Sequence, residues 1–340
     1  MIYIVTGSTG FVGNNVVKAL EARGDTVVAM AQTPEKAAKA LEGVKAKIIY
    51  GDVLKKDKLQ ELFTLARKTD KEAKLCCIHT ASVVYLGRGR KKIRQMSDVN
   101  IDGAKNVIEL CLKYKCRLVY VSSVHAITEA PKRGLITETQ SFNPKEVVGK
   151  YAKTKAIASQ LVIDAVKNKG LEAVLVHPSG ICGPNDFSNT HTTQMVEDYQ
   201  HGRIPVATGG GYDFVDVRDV ASGTLAACDK GRTGECYLLT NKYYTAKEVL
   251  CMLHELGVGK KIRRSVPRFV AKAGLPFMSI GNKLTGTRPL YTSYSLYTLG
   301  SNSNFSHEKA AQELGYRPRE LRESLRDTIR FLEKQARGKK

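Results

Sequence analysis

Ile2-Tyr3-Ile4-Val5-Thr6-Gly7-Ser8-Thr9-Gly10-Phe11-Val12-Gly13 opens the chain. An apolar run leads straight into a glycine turn. Val12, Val16 and Leu20 then recur at helical spacing before a second apolar run from Thr26 to Ala29. This is strand, glycine turn, helix, strand: the start of a parallel βαβ unit. At such a junction Gly7 permits the tight turn, Gly10 lets the backbone approach a pyrophosphate, and Gly13 lets helix and sheet pack closely. The helix N-terminus adds N–H donors for phosphates, making Thr9, Phe11 and Val12 candidates beside the glycines. Glycines also serve ordinary turns; it is their place between strand and helix that points to a dinucleotide.

Outward from this start the alternation continues. A strand from Lys47 to Tyr50 ends in Gly51-Asp52-Val53, a helix from Asp57 to Lys68 turns Leu59, Leu62, Phe63 and Ala66 inward, and a strand from Leu75 to His79 runs into Thr80-Ala81-Ser82. A further strand, Arg117 to Val121, ends in Ser122-Ser123-Val124-His125. Strands alternating with helices predict an α/β fold with a doubly wound parallel sheet, whose ligands lie at the strands' carboxyl ends. Beyond residue 178 the alternation weakens. Irregular segments rich in Gly, Pro, Asn and Tyr, Gly183 to Gly211 and Pro267 to Asn304, predict a smaller substrate lobe. The expected division is a dinucleotide-binding domain over 1–178, with segments around 204–240 returning to it, and an interleaved substrate-binding lobe over 179–340.

The 340 residues, 42% of them hydrophobic, suffice for a sizeable core. The formal charge of +21 could serve an acidic partner or simply a soluble lysine-rich surface. Its denser spots, Arg88 to Arg94, Lys260 to Arg264 and Lys339-Lys340, lack aromatic interleaving, so attraction of an anionic dinucleotide or substrate is expected and nucleic-acid binding is not. Eight cysteines without a Cys-x-x-Cys read as reduced core thiols, and no metal site is expected. No apolar stretch of about 18 residues predicts a membrane span, and the apolar run beginning at Ile2 leaves no leader, so a cytoplasmic protein is expected.

The second strand ends in Met30-Ala31-Gln32-Thr33-Pro34-Glu35-Lys36, without the acid that would hydrogen-bond a ribose 2′-OH. Gln32, Lys36 and Lys39 are candidates for that end of the cofactor. The two lysines could reach a 2′-phosphate or be solvated, and NADP(H) is favoured over NAD(H). Asp52, with Val53, is placed either to cap an adenine amino group or to close a turn.

Tyr151-Ala152-Lys153-Thr154-Lys155 lies in a helical-period segment with Ala158, Leu161, Val162 and Ala165. Tyr151 and Lys155 fall one turn apart on one face. A phenol titrates near ~10 and a neighbouring ammonium favours its ionised form. Such a pair also arises by chance, so its meaning depends on what surrounds it. The hydroxyls of Ser122 and Ser123 either satisfy nearby backbone or polarise a substrate carbonyl, and strand alternation points them to opposite faces.

The glycine loop, Gly51-Asp52-Val53, Asn100 with Gly103 and Asn106, Ser122-Ser123, Tyr151-x-x-x-Lys155 and His177-Pro178-Ser179-Gly180-Ile181-Cys182-Gly183-Pro184 together resemble the extended short-chain dehydrogenase/reductase family. Phe214-Val215-Asp216-Val217-Arg218-Asp219-Val220-Ala221 and Glu313-Leu314-Gly315-Tyr316-Arg317-Pro318-Arg319 look most like its dihydroflavonol-reductase and 3β-hydroxysteroid-dehydrogenase branch. The resemblance implies a Rossmann-type fold. It also implies that Tyr151 is the general acid/base, that Lys155 lowers its pKa and binds the nicotinamide ribose, and that Ser123 bonds the reacting oxygen. Thr80, Ala81, Ser82, Asn100, His177, Pro178, Gly180 and Ile181 join the implied cofactor set; Asn100 would hold a water beside Lys155 or satisfy helix backbone. Val83, Val84, Tyr85, Val124, His125 and Ser179 are the implied substrate wall. Nucleotide-sugar epimerases and dehydratases carry Arg-Pro where His177-Pro178 stands and Tyr where Cys182 precedes Gly-Pro, and the dehydratases add an acidic pair where Val124-His125 stands. The implied activity is therefore interconversion of a ketone and a secondary alcohol on a fairly apolar molecule such as a steroid or flavonoid. A nucleotide-sugar epimerase or dehydratase and a non-catalytic nucleotide sensor are the alternatives, and a monomer or homodimer is implied.

Overall fold

A computed structural model describes residues 1–87, 89–275 and 290–337. Of the basic spots named above, Arg88 and Lys339-Lys340 lie outside the described residues, as does part of the irregular 267–304 segment.

Seven parallel strands form the central sheet: β1 (Ile2–Thr6), β2 (Thr26–Ala31), β3 (Lys47–Tyr50), β4 (Leu75–His79), β5 (Arg117–Val121), β6 (Ala173–Pro178) and β10 (Cys236–Leu239). Their order is β10-β6-β5-β4-β1-β2-β3. Both faces are covered, which is why these strands read as near-continuous apolar runs. Within β1, Ile2 and Ile4 join one core and Tyr3 and Val5 the other, as the two-residue strand period requires. Helices α1 (Phe11–Ala22) and α8 (Val217–Lys230) pack together on the second face, next to α2 (Pro34–Ala40). Helices α3 (Lys56–Thr69), α4 (Arg90–Ser97), α5 (Gly103–Tyr114) and α6 (Lys150–Lys169) lie on the first.

Successive connections leave β1 towards opposite edges, so a crevice opens where β1 and β4 meet, outside their carboxyl ends. The glycine turn lies there. Gly7 has φ +71°, and a Cβ on it would sit 2.6 Å from Ala81 Cα; a Cβ on Gly13 would sit 2.1 Å from the Gly7 carbonyl oxygen. Neither position admits a side chain.

The smaller lobe holds β7 (Gly180–Cys182), β9 (Gly211–Asp216) and β11 (Lys242–Thr245) in the order β11-β9-β7, and a pair of β8 (Ala207–Thr208) with β12 (Ser265–Val266). Around them lie α7 (His191–Gln200), α9 (Ala246–Glu255), a helix over residues 268–275 (α10), α11 (Ser293–Thr298) and α13 (Leu321–Arg337), whereas α12 (Glu308–Leu314) returns to the second face of the central sheet against α8 and β10. A third core of Val196, Val249, Leu253, Leu325 and Ile329 joins α7, α9 and α13. The later sequence motifs form a clamp between layers. Arg319 donates twice to Asp219 Oδ1, at 3.0 and 2.9 Å, while Arg218 pairs with Asp216 at 2.8 Å and with Asp327 at 2.7 Å. Seven cysteines are buried and Cys251 is half-buried. Among the described residues no helix is long and apolar enough to cross a membrane.

Candidate active site

Two cavities meet at the carboxyl edge of the sheet. The first, a cleft of about 410 Å³, runs along the crevice. Gly7, Thr9 and Gly10 form one wall, Thr80, Ala81, Ser82 and Val83 another, and Gln32, Lys36, Lys39, Asp52 and Val53 the far end. Lys36 donates to the side chain of Gln32. Asp52 Oδ1 accepts from the Leu54 amide at 2.9 Å, so this carboxylate closes its own turn while facing the cleft. Thr80 Oγ1 donates to the carbonyls of Thr6, at 2.8 Å, and Gly7, at 3.2 Å, tying β4 to the glycine turn.

The second cavity, about 220 Å³, lies between sheet and small lobe. Val84, Leu86, Met195, Phe214, Val249, Leu250 and Leu290 line it, with Tyr151 and His125 at its sheet side. No Lys, Arg, Asp or Glu among the described residues lines it.

Tyr151 connects the two spaces. It borders the apolar cavity, and its phenol feels the side chains of Ser123 and of Ser82, the latter a wall of the cleft. Burial pushes the phenol up to about 12, and the two serine hydroxyls pull against it. Ser123 Oγ accepts from the His125 amide at 3.3 Å, leaving its own proton to donate. Ser122 faces away, its hydroxyl 2.7 Å from that of Ser159 on α6. The structure thus separates the serine pair that sequence alternation left open.

Lys155 is buried, with no carboxylate partner among the described residues. Its ammonium donates to the Val121 carbonyl at 2.8 Å and lies over the Tyr120 ring, 4.9 Å from its centroid. Loss of hydration lowers its pKa to about 7. The groups that draw Tyr151 downward are the serines; the charge of Lys155 bears on His79 and His177.

A model of the NAD dependent epimerase/dehydratase family matches residues 3–240. The chain belongs to this family. Sterol demethylase protein B of Methylococcus capsulatus is 29% identical over 333 residues, covering 97% of each chain. A 4-hydroxy-2-methyl-3-oxo-4-farnesyl-3,4-dihydroquinoline-1-oxide ketoreductase of Stigmatella aurantiaca is 27% identical, covering 96% of this chain and 95% of its own. The crystal structure of gox2253 is 27% identical, with a TM-score of 0.83 over 99% of each chain. The protein is an oxidoreductase of the extended short-chain dehydrogenase/reductase type, and the epimerase/dehydratase family works with a nicotinamide cofactor. The cleft fits such a group: Gly7 and Gly10 leave bare backbone as its wall, with no room for a Cβ on Gly7, and its far end carries lysines.

The other candidates named from the sequence fall in varied places. Asn100, in a π turn over Asp98–Asp102, accepts from the Val83 amide at 2.8 Å and from Ser82 Oγ at 3.1 Å. It donates to the Val83 carbonyl and to Thr154 Oγ1, both at 3.0 Å. It braces the cleft wall against α6. His177 is wholly buried in β6, its Nδ1 3.1 Å from the Ser123 carbonyl and its ring stacked on Phe142, so it backs the serine from behind the cleft. Ser179 turns its hydroxyl to Asp213 and does not border the apolar cavity, because β7 pairs with β9 at this point. Gly180 borders the apolar cavity, Pro178 ends β6, Ile181 follows Gly180 in β7, and Val124 and Phe11 are core residues. Val12 packs against the second core. Tyr85 points back to its own loop, accepting from the Gly89 amide at 3.1 Å.

Sequence reasoning missed Phe187, which closes the cleft with the Lys18 and Lys39 ammoniums over its ring. It also missed Tyr212 and Tyr294, which flank His125. Tyr212 stands two residues before the recognisable Phe214 motif; Tyr294 lies in an irregular stretch with no local signal.

Proposed function

We propose that this oxidoreductase interconverts a ketone and a secondary alcohol on an apolar small molecule, using NADP(H) in preference to NAD(H). The observation that carries this reading is the position of Tyr151, which borders the apolar cavity and lies beside Ser123 and Ser82, the latter lining the cofactor cleft. A proton donor belongs where substrate and cofactor spaces join. The names of two relatives, one for a sterol and one for a farnesylated ketone, support an apolar substrate. So does the absence of charged side chains from the described cavity lining, since a nucleotide diphosphate needs cationic partners.

Bound in the cleft, the nicotinamide would supply or accept the hydride. In the reductive direction Tyr151 gives its phenolic proton to the substrate oxygen as negative charge develops there, and in the oxidative direction takes it back. Ser123 donates a hydrogen bond to the same oxygen, its orientation fixed by the His125 amide. Lys155, titrating near neutrality, is the adjacent store of positive charge that favours the phenolate once an anionic cofactor stabilises the ammonium. Gln32, Lys36 and Lys39 receive the adenosine end, the lysines suiting a 2′-phosphate.

The test is a panel of ketones, hydroxysteroids and nucleotide sugars followed by nicotinamide absorbance with NADPH and NADH. Turnover of apolar ketones, faster with NADPH, is expected. Net-neutral conversion of a nucleotide sugar by protein purified with bound NAD, and none of the ketones, would overturn the reading.

A further inference from the structure

His125 places an imidazole at the edge of a cavity whose walls are largely apolar. Its Nε2 lies 3.0 Å from the Tyr212 hydroxyl and its Nδ1 lies 3.3 Å from the Tyr294 hydroxyl. Its ring stacks on that of Tyr212 at 5.6 Å and stands edge-on to Tyr151 at 6.2 Å. All three side chains border the apolar cavity. The site is built from three separate pieces of chain: the turn after β5, strand β9 and helix α11. Room for Tyr294 is made by Gly149, just before α6, where φ is +100° and a Cβ would sit 2.1 Å from the Tyr294 ring.

Hydrogen-bond counting shows what the triad has to spare. Burial keeps the imidazole neutral near pH 7, lowering its pKa to about 4 against a small opposing pull from Glu129. A neutral imidazole has one N–H donor and one acceptor nitrogen. One tyrosine must therefore donate into the ring, and the other must accept from it. The accepting tyrosine keeps its own O–H; that of Tyr212 has no other partner among the described residues, whereas the Tyr294 hydroxyl also faces the Thr298 side chain. Exchange of the imidazole tautomer moves the spare O–H from one tyrosine to the other without changing the count. With Tyr294 donating into the ring, Tyr212 offers the cavity an unpartnered phenolic donor, and a donor in a largely apolar enclosure discriminates strongly in favour of an acceptor.

We propose that His125, Tyr212 and Tyr294 form a second recognition point, which donates a hydrogen bond to an acceptor oxygen that the substrate carries in addition to its reacting carbonyl or carbinol. The proposal deepens the ketone/alcohol reading and rests on it for turnover, though not for binding. The substrate class becomes an apolar skeleton with two oxygen functions, one at Tyr151 and Ser123 and the other at the triad.

The experiment compares a decalone with decalindiones of the same skeleton, by calorimetric titration of the nucleotide-loaded full chain and by kcat/KM. Wild type is expected to prefer a dione roughly tenfold in both measures, the scale of one buried hydrogen bond. The double variant Tyr212→Phe, Tyr294→Phe withdraws the donor to the imidazole behind two phenyl rings, and its preference should fall to within about twofold of unity whatever its absolute rate. Each single variant should keep part of the preference, because the remaining phenol can still hold the spare O–H. Gly149→Ala, which displaces Tyr294 from outside the triad, should lower it too, and stands in if the double variant does not fold. No preference in wild type, or an undiminished preference in the double variant, overturns the proposal. A binding preference that the double variant loses, with no turnover of any ketone, supports the triad and sinks the ketone/alcohol reading instead.

Discussion

Replacing Lys155 with methionine removes an ammonium that the fold has taken out of water, while keeping a side chain of similar length. The pKa of Lys155 falls from 10.5 to about 7 through burial, which penalises the charged native state by on the order of 5 kcal/mol. The hydrogen bond to Val121 and the Tyr120 ring act on the same charged form and are contained in that net shift, so the nucleotide-free methionine variant should be the more stable by on the order of 5 kcal/mol at pH 6. The pH dependence follows from the sign of the shift. Below pH 7 folded and unfolded chains both hold the proton and wild type bears the whole penalty; above it the native state has released the proton and the unfolded chain keeps it, so wild type gains stability as pH rises towards 10.5. By pH 9 that gain is about 3 kcal/mol and the difference should have narrowed by as much. His79 and His177, which feel the same charge, are held by burial to about 3 and about 4 and stay neutral throughout. The assay is urea unfolding of both proteins between pH 6 and 9 with m-values compared. A stability difference that does not change with pH would refute the reasoning.

Ser123→Ala should lower kcat about 10²- to 10³-fold by removing a donor to the reacting oxygen, whereas Ser122→Ala should leave kcat near wild type and lower the unfolding midpoint; steady-state kinetics and thermal melts separate the two. Lys36→Ala with Lys39→Ala should raise the KM for NADPH about tenfold or more while leaving that for NADH within about twofold, and equal changes for both would count against a 2′-phosphate site. Gly13→Ala should weaken nucleotide binding and lower Tm, because its Cβ would lie 2.1 Å from the Gly7 carbonyl oxygen; unaltered nucleotide affinity by calorimetry would show that the turn relaxes without consequence.

The large layer is legible in the sequence because its signals are local. The Gly7 to Gly13 turn, the strand period that divides Ile2 and Ile4 from Tyr3 and Val5, and the apolar stripe of Leu59, Leu62 and Phe63 all rest on residues close together in the chain. Tyr151, Ser123 and Ser82 were named for the same reason, each standing at the end of a strand or the start of a helix. The assignments that needed three-dimensional contact were not legible. The division of labour between Ser122 and Ser123 depends on Ser159, 37 residues from Ser122, and the turning of Ser179 from the cavity depends on Asp213, 34 residues on. The Tyr294 to His125 contact spans 169 residues. No periodicity in an irregular lobe reports which of its tyrosines folds back over the sheet.

The role of Tyr151 is tested most directly by the turnover of Tyr151→Phe on an apolar ketone accepted by wild type, measured with nucleotide affinity on the same preparation. The account predicts a fall of about 10²- to 10⁴-fold in kcat with nucleotide binding nearly intact, since the phenol borders the cavity and the glycine wall is untouched. Wild-type turnover in the variant would contradict it.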